Sequence, residues 1–393
     1  MKILNVINSI QAADGGPIEG IRQLADALSP MGHRVEVVSM DDPGNPEVRR
    51  FPLPLYAVGP SWWQYKYSKR LVPWLRQNAA RYDAVVVNGL WGYASFGTWR
   101  GLRRSGPPYV VFAHGMLDPW FKEEYPLKHL KKSLYWWWAD YRVVRDANAI
   151  LYTCEEERVL ARQSFSLYSA TERIVGFGTT RPGGDPEKQR RVFLDRFPEL
   201  QGKRLVLFIS RIHPKKGCDL VIEAFARVLA GAPEWRLVMA GPDQVGWQKE
   251  LEKIAARLGI SERITWTGMV TEESKWGALR AAEVMLLPSH QENFGLVVAE
   301  ALACGVPVLL SHKINIWREV VTHGGGFADE DSADGAARLL AHWLRLPPAP
   351  QRETRRRAEE CFDSKFEIGR AAASLAETLE SIANGDECAH LRA

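Results

Sequence analysis

Short, continuous apolar runs alternate along this chain with stretches in which apolar residues recur every three or four positions. The first pattern reads as strands buried on both faces, the second as helices with one face inward. Residues 2–8 form such a strand, and Ile21, Leu24, Ala25 and Leu28 mark one face of a helix over 18–28. A turn at Gly32-His33-Arg34 leads to a strand at 35–38. Further strands are expected at 83–87, 109–113, 149–153 and 174–178. Residues 42–60 are proline-rich and read as loop. Residues 126–147 read as one long helix, with Leu127, Leu130, Leu134, Trp138 and Tyr141 on an apolar face.

The segment Arg181-Pro182-Gly183-Gly184-Asp185-Pro186 has linker composition, and after it the pattern restarts. Strands are expected at 204–209, 236–240, 264–267, 284–287 and 308–310, with helices at 219–229, 251–258, 276–282 and beyond Leu296. Alternating strands and helices predict an α/β fold with parallel sheets covered on both faces. At 393 residues the chain is long for one core. Two Rossmann-like doubly wound domains are therefore expected, at 1–183 and 184–365, followed by a closing helix and tail at 366–393. Residues 352–360, rich in Arg and Glu, read as a solvated helix face.

The loops after the strands carry the candidate chemistry, because open α/β sheets bind ligands at the carboxyl ends of their strands. Arg211 and Lys216-Gly217 follow the strand 204–209. Two cations there suit a diphosphate, Arg as a fork of donors and Lys as a point charge; a pair of surface cations is the plainer alternative. Glu292 lies in the loop after 284–287 and Glu300 on the helix that follows, in otherwise apolar surroundings. Backbone N–H groups near Asn293, Phe294, Gly295 and Leu296 suit an anionic or hydroxyl-rich ligand, and the two carboxylates suit sugar hydroxyls. Gly15-Gly16 follows the first strand as a tight turn or a phosphate contact. His114 ends the strand 109–113, as a core histidine or a group lining a cleft. The dinucleotide fingerprint G-x-G-x-x-G is missing, which argues against an NAD enzyme.

Composition narrows the picture. A net charge of +4 is too mild to argue for a nucleic-acid partner. Cys154, Cys218, Cys304, Cys361 and Cys388 are scattered without metal-ligand spacing, as in a reduced, cytosolic protein. The first residues lack the pattern of a signal peptide, and no apolar run approaches the roughly 20 residues that span a bilayer. Tryptophan is the outlier, with nine of 15 before residue 150. It concentrates in two aromatic and basic patches, 62–76 and 120–145, the second carrying Lys128, Lys131 and Lys132. Core packing, an anionic membrane surface and sugar stacking all fit these patches. Core packing is the first reading for Trp136-Trp137-Trp138, with Trp137 and Trp138 inward.

At these residues the sequence resembles the retaining glycosyltransferases of the GT-B fold, family GT4, known as glycosyl transferases group 1. The E-x7-E element is present as Glu292 and Glu300; the family's diphosphate loop matches Arg211 and Lys216-Gly217, its Gly-Gly matches Gly15-Gly16, and its cleft histidine matches His114. The run His114 to Trp120 resembles bacterial polysaccharide-assembly members. Two positions depart from the family pattern. Asn88 stands where many members carry His, and Gly176-Phe177-Gly178-Thr179 where Asn-Gly is common.

The resemblance implies two domains facing across a cleft, with the C-terminal helix crossing back to the first. It implies that Arg211 and Lys216 hold a donor diphosphate, Glu300 the ribose, and Glu292 with the amides of Asn293 to Leu296 the transferred sugar. Gly15 and Gly16 would reach the distal phosphate, and His114 would line the sugar site. No metal and no cofactor are implied, the nucleoside-diphosphate sugar being a co-substrate. The acceptor would be a saccharide, free or lipid-linked, in surface polysaccharide assembly by a cytoplasmic enzyme at the inner face of the cell membrane. A soluble small-molecule glycosyltransferase and a catalytically silent nucleotide-sugar binder are the alternatives.

Overall fold

The structure, a computed structural model, describes residues 1–11 and 16–385. Gly15 and Cys388 lie outside the described residues. The chain divides into two compact units, one formed by Met1–Gly178 with the closing helix Ile368–Asn384, the other by Thr179–Glu367. The divide falls at Gly178/Thr179 rather than after Gly183. Arg181 belongs to the second unit, donating to the Ala303 carbonyl at 3.0 Å and pairing with Asp363 at 2.6 Å.

The first unit is built on a seven-stranded sheet in the order β3-β2-β1-β4-β5-β6-β7. Its strands are β1 (Lys2–Ile7), β2 (Arg34–Ser39), β3 (Leu55–Ala57), β4 (Ala84–Asn88), β5 (Tyr109–Phe112), β6 (Ala149–Tyr152) and β7 (Glu172–Ile174). All neighbours pair in parallel. Runs such as Ala84-Val85-Val86-Val87 are fully buried, because helices cover both faces of the sheet. Strand β3 lies inside the proline-rich stretch expected to be loop. It is a three-residue edge strand, where few ladder positions constrain the sequence. The last strand falls at Glu172–Ile174, ahead of the expected 174–178.

The second unit repeats the design with six strands in the order β10-β9-β8-β11-β12-β13. They are β8 (Arg204–Ile209), β9 (Trp235–Ala240), β10 (Ile264–Gly268), β11 (Val284–Leu287), β12 (Val308–Ser311) and β13 (Gly326–Asp329), again all parallel. Strand β13 has no counterpart among the strands expected from the sequence, and it begins at Gly326, the last of three consecutive glycines. A side chain at Gly326 would strike the Val308 carbonyl of the neighbouring strand at 2.0 Å. The chain order reverses between β1 and β4 in one sheet and between β8 and β11 in the other, which sets the place where such sheets open a crevice. The closing helix Ile368–Asn384 packs on the helix Pro17–Leu28 of the first unit, burying Leu375 and Leu379.

The long helix expected at 126–147 is two helices, Pro126–Trp138 and Asp140–Asp146, broken at Ala139 (φ −119°, ψ −83°). Asp140 explains the break. Its buried carboxylate accepts from the Trp91 amide at 2.7 Å and the Ser95 hydroxyl at 2.9 Å. Burial raises this carboxyl to about 6, against the pull of those donors. The expected inward face is also reversed. Of the tryptophan run only Trp136 is buried, stacked on Phe165 with its indole N–H on the Ser166 carbonyl at 3.1 Å. Trp137 and Trp138 point to solvent, as do Leu127, Leu130 and Leu134.

No helix among the described residues is long and apolar enough to cross a membrane. Cys154, Cys218, Cys304 and Cys361 form no disulfide.

Candidate functional site

In the second unit two loops meet at the switch point between β8 and β11. The loop after β8 runs through Arg211 and a short turn, Pro214–Lys216, into the helix Cys218–Leu229. His213 starts that turn, its Nδ1 accepting from the Lys215 amide at 3.1 Å. Burial, and then the charges of Arg211, Lys215 and Lys216, lower the His213 pKa, so this acceptor stays uncharged. Gly217 closes the turn at φ +66°, and a side chain there would meet the Pro288 carbonyl at 2.5 Å. That close approach lets the β11 loop lie directly on the β8 loop, where the His290 amide donates to the Lys215 carbonyl at 2.9 Å.

The β11 loop is pinned from its other side by the loop after β12. The Glu292 amide donates to the Lys313 carbonyl at 3.0 Å, and the Asn315 amide to the Glu292 carbonyl at 3.1 Å. Asn315 also donates from its side chain to Asn293 at 3.1 Å. Phe294 is buried and packs edge-on against Phe366. Gly295, at φ +71°, caps the helix Leu296–Ala303, turning the chain sharply into it.

Lys216, only 4% exposed, places its ammonium group on the Glu292 carboxylate in a charge-assisted hydrogen bond. Glu300 is held differently. Lys275 of the helix Glu272–Ala281 bonds its carboxylate at 2.6 Å, while the same ammonium lies 4.2 Å from the Trp276 ring. Arg211 is exposed, its guanidinium 3.3 Å from the Gln244 side chain, and it has no carboxylate partner among the described residues. The expected cations and carboxylates of this unit therefore gather at one sheet edge, but as two separate ion pairs and one exposed arginine. Lys275 was not anticipated, because its partner Glu300 lies a strand and a loop away in sequence. Among the described residues no group of three His, Cys, Asp or Glu side chains is placed to hold a metal.

The first unit carries the remaining candidates. Gly16 caps the helix Pro17–Leu28 with right-handed backbone (φ −63°, ψ −23°) and open space where a side chain would stand. Neither strain nor crowding requires glycine there. His114 stands in the turn after β5 with φ +49° and stacks on Phe112, ring centroids 4.5 Å apart. Its Nε2 lies 3.1 Å from the Asn88 side-chain oxygen, while the Asn88 amide donates to Asn5 at 2.9 Å. With that orientation Nε2 is the protonated nitrogen of a neutral ring. Burial lowers the His114 pKa to about 4. The position is half-exposed as a residue, but its ring is desolvated between Phe112 and Phe177, and the desolvated ring sets its charge state.

Glu157 braces this loop. Of the three acids that open the helix Glu155–Ala161, Glu155 and Glu156 suit its N-terminal dipole. Glu157 is buried instead, accepting from the Gly115 amide at 2.5 Å, the Thr153 amide at 2.7 Å and the Thr153 hydroxyl at 2.6 Å. On the other side, buried Asp41 holds the exit of β1 through Ser9 and the Ile10 amide, both at 2.8 Å. An acid at a strand's carboxyl end was the available signal for Asp41.

Comparison with known proteins decides the family. A model described as glycosyl transferases group 1 matches residues 190–360, and one described as a glycosyl transferase 4-like domain matches residues 15–178. The chain belongs to the GT4-type glycosyltransferases. Among its relatives, a D-inositol 3-phosphate glycosyltransferase of Geodermatophilus obscurus is 35% identical over 217 residues, 51% of this chain and 46% of that protein. The chain thus spans about half the length of that relative. A GDP-mannose-dependent alpha-(1-6)-phosphatidylinositol dimannoside mannosyltransferase of Mycobacterium tuberculosis is 27% identical, over 78% of this chain and 76% of that protein. In fold, the chain matches Anabaena HepE, solved in complex with UDP, with a TM-score of 0.77 at 19% identity over 97% of this chain and 100% of that one. The two doubly wound sheets are thus those of the GT-B fold.

Proposed function

We propose that the chain transfers a hexose from a nucleoside-diphosphate sugar to a saccharide acceptor, keeping the anomeric configuration and using no metal ion. The observation that carries this is the buried Lys216 ammonium on the Glu292 carboxylate at the switch point of the second sheet. A diphosphate arriving there offers Lys216 a better-charged partner. The lysine turns to the phosphate oxygens, joined by Arg211, and Glu292 is left to accept hydroxyls of the sugar. Glu300, oriented by Lys275, takes the ribose hydroxyls. The amides from Asn293 to Leu296 face the sugar; in the first unit, the start of the helix Pro17–Leu28 at Gly16 suits a phosphate. His114 of the first unit, neutral at physiological pH, keeps its Nε2 proton on the Asn88 oxygen and does not act as a general acid.

In the reaction, the bond from the anomeric carbon to the terminal phosphate oxygen breaks and the acceptor oxygen bonds that carbon on the same face. The acceptor proton passes to the departing phosphate oxygen. The cations of Arg211 and Lys216 stabilise the charge gathering on the leaving diphosphate, so positioning and electrostatics take the place of a protein base.

The acceptor is read as a lipid-linked saccharide in surface polysaccharide assembly, used by a cytoplasmic protein held at the inner face of the membrane. The mannosyltransferase relative, whose name specifies a phosphatidylinositol-based acceptor, supports this. The D-inositol 3-phosphate relative favours a second reading, a soluble small-molecule acceptor. The intact set of Arg211, Lys216, Glu292 and Glu300 weighs against a silent binder.

The test supplies labelled UDP-, GDP- and ADP-hexoses with EDTA present, and a membrane lipid extract or inositol phosphate as acceptor. Label entering the organic phase, with product anomeric couplings matching the donor, supports the lipid reading. Label entering the aqueous product supports the second. Turnover that needs an added divalent ion contradicts the metal-free mechanism.

A further inference from the structure

The helix Pro126–Trp138 packs with the wrong side out for a helix in water. Its inward side is formed by His129, Lys132, Ser133 and Trp136: His129 stacks on Phe165, and the Lys132 ammonium sits 4.8 Å from the Trp91 ring. Its outward side is a continuous stripe at helical spacing. Leu127 is 83% exposed, Leu130 59%, Leu134 68% and Trp137 65%. Scattered surface leucines are ordinary, but an aligned row spanning the whole helix is not.

The charged groups of the helix itself share one sign. Lys128 and Lys131 are exposed, and the 13 residues of the helix include no acid. Leucine and tryptophan bordered by lysine is the composition of a helix lying at the headgroup level of a bilayer, with lysine stems along the apolar surface and ammonium groups toward lipid phosphates. A neighbouring element extends the same face. The turn between the bridged residues Trp62 and Tyr67 presents Trp63 at 83% exposure, and Tyr65 in that turn joins Tyr135 of the helix by a 2.7 Å hydroxyl contact.

We propose that this stripe, with Trp63 beside it, docks the first unit on an anionic lipid surface. The inference deepens the lipid-linked acceptor reading and rests on it for its purpose, since docking brings the unit to the membrane where such an acceptor resides. A second copy of the chain is the less suitable occupant. A two-fold contact along the stripe would bring two lysine-bearing helices together with no acid on either to pair Lys128 and Lys131.

The test sediments the full chain with vesicles of phosphatidylcholine, with and without phosphatidylglycerol. Binding is expected only with the anionic lipid, weakening as salt rises. Lys128→Gln and Lys131→Gln should each lower the partition about five-fold. Leu130→Glu with Leu134→Glu should abolish it, while unfolding temperature and donor-sugar hydrolysis in solution stay at the parent's level. Three results would overturn the inference: no sedimentation of the parent, undiminished sedimentation of the leucine variant, or a dimer in light scattering that the leucine variant dissolves. Vesicle binding without donor hydrolysis removes the proposed reaction and leaves the docking surface standing. Hydrolysis without vesicle binding does the reverse.

Discussion

The ammonium group of Lys216 rests on the carboxylate of Glu292, tying the loop after β8 to the loop after β11. Both groups are largely removed from water, so each holds the other's charge in place until a ligand replaces one of them. Lys216→Ala should leave the fold cooperative, because the loops are also joined through backbone bonds. It should lower donor turnover by at least about 100-fold, the size of effect seen when a preorganised charge facing a leaving group is lost. Steady-state hydrolysis of the donor sugar measures this, and near-parent turnover would contradict the assignment.

Lys275 is expected to act through Glu300. Lys275→Met removes the 2.6 Å contact and lets the carboxylate rotate. Donor KM should rise roughly ten-fold, the equivalent of about 1.4 kcal/mol, with kcat nearly unchanged, because the ribose is bound equally in ground and transition states. A matching fall in kcat with constant KM would show that Lys275 meets the reacting groups instead.

Gly217 tests the close approach of the two loops. Gly217→Ala adds a side chain at φ +66°, directed at the Pro288 carbonyl 2.5 Å away. The backbone strain alone costs about 1–3 kcal/mol. Thermal unfolding should register it, and donor affinity should fall with it as the β11 loop is pushed away. Parent-like unfolding would mean the loops do not meet as described.

His114 provides the pH dependence. Its folded pKa, about 4, is below the ordinary 6.5 because burial disfavours the charged ring. Between those values the unfolded chain binds a proton that the folded one does not. The histidine's contribution is therefore fully present above pH 6.5 and declines as pH falls toward 4. Asp140 works the opposite way, its raised folded pKa favouring the fold as pH falls through 6. The histidine effect is thus read from the stability difference between the parent and His114→Gln, which should shrink from pH 6.5 to 4. An NMR titration placing His114 near 6.5 would contradict it.

The sequence announced the strands that helices cover on both faces, since 84–87 and 205–209 are unbroken apolar runs with little else they could be. It did not announce β3 or β13, which are short and lie among prolines and glycines. Periodicity located the apolar face of 126–138 but could not say whether that face turned inward. That depends on Trp136 finding Phe165 and Ser166, and on Asp140 finding Trp91 and Ser95, all distant in sequence. The same limit hid Lys275 and Glu157, whose partners are fixed by the fold. Arg211, Lys216, Glu292 and Glu300 were legible because each lies beside a strand end where α/β sheets bind their ligands.

The central claim is that the second unit binds a nucleoside diphosphate through Lys216. Thermal unfolding with UDP, GDP or ADP, on the parent and on Lys216→Ala, tests it most directly. The account predicts that one of the three raises the parent's unfolding temperature, by mass action on the folded state, and leaves the variant's unmoved. No shift in the parent with any of them, or an equal shift in the variant, would contradict it.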